Sequence, residues 1–278
     1  MFEELKPHLA ELRKRLTICA LVIFVFFGIA FLFWKPVMYF MAEPLFSVMS
    51  QSGNATIEMA NKTQVILENF DVAKNSEQYK QFFMTNEPME AFFMALKISF
   101  FTALVFAIPV IFWQLWLFIA PGLYDNEKKH VIPFTIFTTV MFLLGGAFCY
   151  LVVMPLAFNF VINFGKDVFV YIPKVTEYIS FFIKLVLAFG FSFELPVIAL
   201  FLGKLGLITD KTLKDSFRYA IVLIFIVAAI ITPPDVTSQI LMAIPLILLY
   251  GLSIFILKKV NPYVPDEEEE TEEENAKA

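Results

Sequence analysis

Residues 98–120 read ISFFTALVFAIPVIFWQLWLFIA, a run of 23 residues without a charged side chain. A helix needs about 20 apolar residues to cross a hydrocarbon core of about 30 Å. Five further stretches are nearly as apolar. The sequence therefore predicts an all-α membrane protein with six transmembrane helices, at about residues 16–34, 98–120, 131–155, 178–202, 213–232 and 236–257.

The composition supports one membrane domain. The chain is 59% hydrophobic with a mean hydropathy of +0.74, which leaves room for a single transmembrane domain over 1–260 and for no large soluble one. Residues 266–274 read DEEEETEEE. A block of like charges is typical of a solvated, disordered segment, so we expect 261–278 to be a disordered tail.

The basic residues predict the orientation. All three arginines, Arg13, Arg15 and Arg218, flank the spans on one side. The short loops of that side carry Lys128, Lys129, Lys204, Lys211 and Lys214, whereas the opposite short loops hold only Lys166 and Lys174. Short basic loops remain in the cytoplasm, so both termini are predicted to be cytoplasmic and 35–97 to be outside. No Arg- and Ser-rich transit segment precedes the first span, which favours a bacterial cytoplasmic membrane over an organelle. Residues 1–15 are expected to form an amphipathic helix at the interface before the chain turns into the bilayer.

Recognised catalytic patterns are absent. The chain lacks G-x-x-x-x-G-K-[ST] and H-E-x-x-H, and its two histidines, His8 and His130, lie at the margins of the spans. Cys19 and Cys149 lie inside spans and are interpreted as small apolar residues. We therefore expect no enzyme, no cofactor, no metal site and no nucleic-acid partner.

Glu194, in FGFSFELPV, is an acidic residue in the middle of an apolar helix. An ionised carboxylate there costs about 2.5–3.5 kcal/mol on insertion scales, so such groups usually face a cavity or a partner. Two interpretations stay open: a protonated carboxyl bonded to a neighbouring helix, or a residue of a polar groove. A secondary transporter using Glu194 is a rival function, but that class usually shows internal repeats, and no convincing repeat is found.

Other polar residues lie at the rim of the spans. From position alone, Glu11 and Glu127 are most simply surface ion pairs worth about 0–1 kcal/mol. Asp235 lies in a Pro-Pro-Asp turn, and Gln239 is placed to bond a neighbouring helix. Four prolines in or beside spans, Pro109, Pro133, Pro155 and Pro196, predict bent helices and hence a concave bundle.

Four strings together resemble the TatC family of the twin-arginine protein translocase. They are HLAELRKRL at 8–16, IPVIFWQLWLFIAPGLYDNEKK at 108–129, AFGFSFELPV at 188–197 and ITPPDVTSQILMAIPLILLYG at 231–251. The resemblance covers about residues 5–47 and 91–260. The long 48–90 segment and the acidic tail inherit nothing from it.

The resemblance implies a receptor for folded proteins whose signal peptides carry paired arginines. It implies a cupped-hand bundle with short fifth and sixth helices, TatA-like and TatB-like single-span partners, self-association, and energy from the proton-motive force. It also assigns roles to residues. The expected signal-peptide site is Glu11, Glu127, Phe118 and Tyr124; the expected intramembrane polar groove holds Glu194; the expected partner-contact residues are Thr232, Pro233, Asp235 and Gln239.

Overall fold

A computed structural model of the chain describes residues 2–56, 89–120, 131–163, 174–232 and 236–262. Helices dominate these ranges. In chain order they are α1 (Phe2–Leu32), α2 (Trp34–Thr56), α3 (Glu90–Ile119), α4 (Val131–Phe148), a π-helical turn (Cys149–Val153), α5 (Met154–Asn163), α6 (Val175–Ser192), α7 (Leu195–Lys204), α8 (Asp210–Asp215), α9 (Phe217–Ile231) and α10 (Val236–Val260).

The predicted all-α membrane fold is confirmed. Within the described residues, five helical segments are long and apolar enough to cross a bilayer, and α9 is a shorter apolar helix. The five are His8–Leu32, Glu90–Ile119, Ile132–Asn163, Thr176–Lys204 and Gln239–Val260.

The first span differs from expectation at its start. Residues 1–15 were expected to lie along the interface and then turn, but α1 is one continuous helix of 31 residues from Phe2 to Leu32. At 1.5 Å per residue it is about 46 Å long, longer than the hydrocarbon core. The charged string HLAELRKR therefore continues the axis of the first span.

Two of the four prolines from which bends were predicted coincide with irregular backbone. The third span contains the π-helical turn Cys149–Val153 just before Pro155, and the fourth breaks between α6 and α7 just before Pro196. Proline has no N–H for the i−4 carbonyl, so a helix adjusts in the preceding turn. Pro109, by contrast, lies inside the uninterrupted α3.

The last two spans differ in length. Helix α9 has 15 residues, about 22 Å at helical rise, so it is short as predicted. Helix α10, the sixth, was also expected to be short but has 25 residues. It begins at Val236 and continues through the basic pair Lys258–Lys259, so charged residues extend it beyond its apolar stretch.

The chain divides into two compact units, Met1–Gly190 and Phe191–Ala278. In the first, α1 packs on α3, α3 on α4, and α2 on α5. Two tyrosines bond to α2 about two turns after its start: Tyr150 donates its hydroxyl to Phe40 O at 2.9 Å, and Tyr178 donates to Met41 O. Gly190 lets α6 approach α4, because a Cβ there would lie 2.7 Å from the Phe142 ring.

The second unit packs α7, α8 and α9 against α10. Gly203 allows close approach of α7, since a Cβ at this position would overlap the Leu257 side chain. Small residues let apolar helices pack tightly where lipid offers no hydrophobic driving force. The short α8 is bonded to α10 through Tyr250, whose hydroxyl donates to Leu213 O at 2.9 Å.

Candidate functional site

The predicted signal-site residue Glu11 lies on α1 beside a guanidinium of its own chain. Arg15, one helical turn later, donates Nε to Glu11 Oε1 at 3.2 Å, and its Nη2 donates to the same oxygen. The side chains are half-buried, with 31% of Glu11 and 19% of Arg15 exposed. The ion pair expected from position alone is therefore present, and it lies against a second helix.

That second helix is α3. The third guanidinium nitrogen of Arg15, Nη1, donates to Oε1 of Gln114 at 3.2 Å. Farther along, the rings of Phe26 and Phe106 are 6.1 Å apart. Residue numbers rise on α1 while they fall on α3, so the two helices are antiparallel. This register places Glu11, four residues before Arg15, toward the end of α3 that carries Phe118.

Phe118 is half-buried on the last turn of α3, four residues after Gln114. Residues four apart share a helix face, so Phe118 lies on the side of α3 that meets Arg15. Between them, Trp116 is buried, stacks on Phe134 with ring centroids 5.1 Å apart, and donates Nε1 to Thr138 Oγ1 at 3.3 Å. These contacts with α4 fix the rotation of α3 about its axis.

The other two predicted signal-site residues, Glu127 and Tyr124, lie outside the described residues. The structure thus brings together Glu11, Gln114 and Phe118. Chemically, this end of α1 and α3 offers a carboxylate, an amide and an aromatic ring. Planar guanidinium groups bind such carboxylates with two parallel N–H bonds and stack on aromatic rings.

Arg15 and Gln114 were missed as site residues by sequence reasoning. The spacing of Glu11 and Arg15 signalled their pairing, because acid and base four residues apart meet on a helix. Gln114 was less easily identified from the sequence, where it is an amide side chain within the apolar run FWQLWLF. An amide placed among apolar residues usually has a partner on another helix.

Glu194 lies between α6 and α7. Its backbone N–H donates to Phe191 O at 3.1 Å and its carbonyl accepts from Ile198 N at 2.8 Å, while its side chain caps nothing. The residue is 5% exposed, and neither carboxylate oxygen accepts a hydrogen bond from any residue that the structure describes. A bond to a neighbouring helix, one of the two interpretations of Glu194, is thus not seen in the described part of the chain.

The predicted partner-contact residues flank the turn between α9 and α10. Thr232 is buried at the end of α9, where its Oγ1 donates to Ala228 O at 2.8 Å. Gln239, on the first turn of α10, donates Nε2 to Phe225 O of α9 at 2.9 Å. The expected interhelical bond of Gln239 therefore forms within this hairpin. Pro233 and Asp235 lie outside the described residues.

Comparisons with known proteins agree with this architecture. The family model described as "Sec-independent protein translocase protein (TatC)" matches residues 7–245. A TatC protein of Helicobacter pylori strain J99 is 50% identical over 277 residues, covering 100% of this chain and 97% of that protein. One of Escherichia coli K12 is 34% identical, covering 91% and 87%.

A solved structure, "Crystal Structure of Twin Arginine Translocase Receptor- TatC", superposes with a TM-score of 0.73 at 37% identity. The match covers 91% of this chain and 99% of that one. The resemblance carried by the four sequence motifs is confirmed, and the chain belongs to the TatC family of Sec-independent protein translocase proteins.

Proposed function

We propose that this chain is the signal-receptor and core subunit of a twin-arginine translocase, which exports folded proteins across the bacterial cytoplasmic membrane. The observation that carries the proposal is the position of Glu11, a half-buried carboxylate at the end of the first span beside Gln114 and Phe118 of α3. Family membership supports the same role. In this role the chain is a transport component and not an enzyme.

Recognition follows from the chemistry of two arginines. Each guanidinium can form two parallel hydrogen bonds with one carboxylate. Glu11 and Glu127 supply the two carboxylates, and Phe118 and Tyr124 supply aromatic surface around them. The apolar part of the signal then lies along the spans, in the surrounding membrane lipid.

Transport requires partners and energy that this subunit does not contain. TatA-like and TatB-like single-span proteins are the proposed partners, and the proton-motive force is the proposed energy source. The proposed partner contact is formed by Thr232, Pro233, Asp235 and Gln239. Copies of this subunit are also proposed to associate with one another in the receptor complex. Glu194 is the proposed polar residue of an intramembrane groove, since its buried oxygens have no partner in the described part of the chain.

A peptide pull-down tests the receptor function. Full-length protein in lipid nanodiscs is incubated with an immobilised twin-arginine signal peptide and with its twin-lysine variant. We expect retention on the arginine peptide and much weaker retention on the lysine peptide, because an ammonium cannot form the two parallel bonds of a guanidinium. Equal retention on both peptides contradicts the receptor function and leaves the transporter interpretation of Glu194.

The proposed orientation has both termini, including the tail 261–278, in the cytoplasm, and 35–97 and 156–177 outside. Single cysteines introduced at Asn54 and Lys166 are therefore expected to react with a membrane-impermeant maleimide added to intact spheroplasts. A cysteine introduced at Lys129 is the matched control, which reacts only after the membrane is opened. Labelling of Asn54 or Lys166 only in opened membranes overturns the topology.

A further inference from the structure

The carboxylate proposed to receive a signal arginine already holds an arginine. Two nitrogens of Arg15, Nε and Nη2, converge on Oε1 of Glu11. Its remaining nitrogen, Nη1, donates to Oε1 of Gln114 on α3 at 3.2 Å. All three nitrogens of this guanidinium are thus bonded, and only 19% of the side chain is exposed.

This arrangement restricts how a second guanidinium binds. A bidentate contact uses both oxygens of a carboxylate, but Oε1 of Glu11 already accepts two N–H groups. An incoming arginine therefore reaches one oxygen while Arg15 stays, and both only after Arg15 leaves. The opposite charges of Glu11 and Arg15 also cancel, which reduces the attraction that would draw any cationic peptide to this point.

We propose that Arg15 sets the affinity threshold of the signal site: it occupies Glu11 as an internal competitor, held there by Gln114, and a signal arginine binds by exchange with it. This inference rests on the proposed function, in which Glu11 accepts an arginine of the signal. After exchange, the Arg15 guanidinium keeps its hydrogen bond to the Gln114 amide oxygen, so it is not left without an acceptor.

Competition acts equally on every ligand of Glu11. When the competent state of a site is populated for a fraction of the time, the apparent dissociation constant of each ligand rises by the inverse of that fraction. If Arg15 occupied Glu11 about nine-tenths of the time, arginine and lysine peptides would both bind about tenfold more weakly. Weak cationic segments then fall below useful affinity, whereas a paired arginine remains above it.

The test measures dissociation constants of a twin-arginine peptide and its twin-lysine variant with full-length protein in nanodiscs. For Arg15→Gln we expect both peptides to bind about 3- to 10-fold more tightly, with their ratio unchanged, because an internal competitor is removed. Lys14→Gln is the matched control, since it removes one positive charge at an exposed neighbouring position. For Lys14→Gln we expect the two dissociation constants to change by less than about twofold, because exposed charges contribute little.

Two further variants test whether the contacts of Arg15 with Glu11 and Gln114, and not its positive charge alone, weaken peptide binding. Arg15→Lys keeps the charge but has no planar fork to bridge Glu11 and Gln114, so binding is expected to tighten about two- to threefold. Gln114→Leu is expected to tighten binding by a similar factor in the wild-type background and to give no such tightening in the Arg15→Gln background, where the competitor is already absent. Such non-additivity is the signature of two residues that act through one contact.

Unchanged or weaker binding in both Arg15→Gln and Arg15→Lys overturns the exchange. The exchange is also contradicted if Lys14→Gln tightens peptide binding as much as Arg15→Gln does, because the effect would then come from net charge alone. A failure of the wild-type protein to prefer the arginine peptide contradicts the proposed function instead. The two failures are therefore distinguishable in one set of measurements.

Discussion

Replacement of Glu11 by alanine is expected to weaken binding of a twin-arginine signal peptide about 10- to 150-fold while the protein remains inserted. A hydrogen bond to a charged group is worth about 1.5–3 kcal/mol, which gives this range. Insertion should survive, because α1 also packs on α3 away from Glu11, with the rings of Phe26 and Phe106 6.1 Å apart. Glu127→Ala is expected to act in the same way. Peptide titration of the variants in nanodiscs measures both effects.

Glu177→Ala is the matched control for the loss of one carboxylate. Glu177 pairs with Lys174 at 3.4 Å, and its side chain is 75% exposed on the first turn of α6. Its removal should leave peptide affinity unchanged, as is usual for an exposed ion pair. If Glu11→Ala also left the affinity unchanged, Glu11 would serve only as the ion-pair partner of Arg15.

Glu194→Ala is expected to reduce export of a twin-arginine reporter by about tenfold or more, the effect of about 1.4 kcal/mol on a limiting step. Its thermal stability in detergent should change little. Both carboxylate oxygens of Glu194 are buried without a hydrogen-bond donor among the described residues, so truncation breaks no observed bond and removes a polar group that is costly to bury.

Asp210 offers a matched buried carboxylate in the same unit. It is 6% exposed and pairs with Lys214 at 2.6 Å. Asp210→Ala is therefore expected to destabilise the protein by about 1–3 kcal/mol, whereas Glu194→Ala is not. Glu194→Gln keeps a polar group without the charge and should retain more export than alanine does. A large stability loss for Glu194→Ala, with normal export by the surviving protein, would return Glu194 to a structural role.

Hydropathy predicted the apolar helices, because the cost of burying a charge in lipid acts on each segment of sequence separately. The break before Pro196 was predictable for a similarly local reason, the missing N–H of proline. The predicted span 236–257 covers all of α10 except its last three residues, which include Lys258 and Lys259 and lie beyond the apolar stretch. Charged residues continue a helix readily once it has left the hydrocarbon core.

Of the two partners of Arg15 in the candidate site, Glu11 was predictable from the sequence and Gln114 was not. The pairing of Glu11 with Arg15 follows from a spacing of four residues on one helix. The partnership of Arg15 with Gln114 joins residues 99 apart in sequence, and it depends on the register of α1 against α3. That register is set by packing along both helices, including Phe26 on Phe106. Local sequence patterns carry no information about such a match.

Because α1 is one continuous helix, it rigidly connects the Phe26 contact with α3 to Glu11 of the proposed signal site. Phe26 contacts α3 eleven residues from Arg15, with unbroken helix between them. Each residue of a helix turns by about 100°. One residue gained or lost between these positions would swing Glu11 about a quarter of a turn or more away from Gln114. The number of helical residues between Phe26 and Glu11 thus sets the direction in which the Glu11 carboxylate points relative to α3.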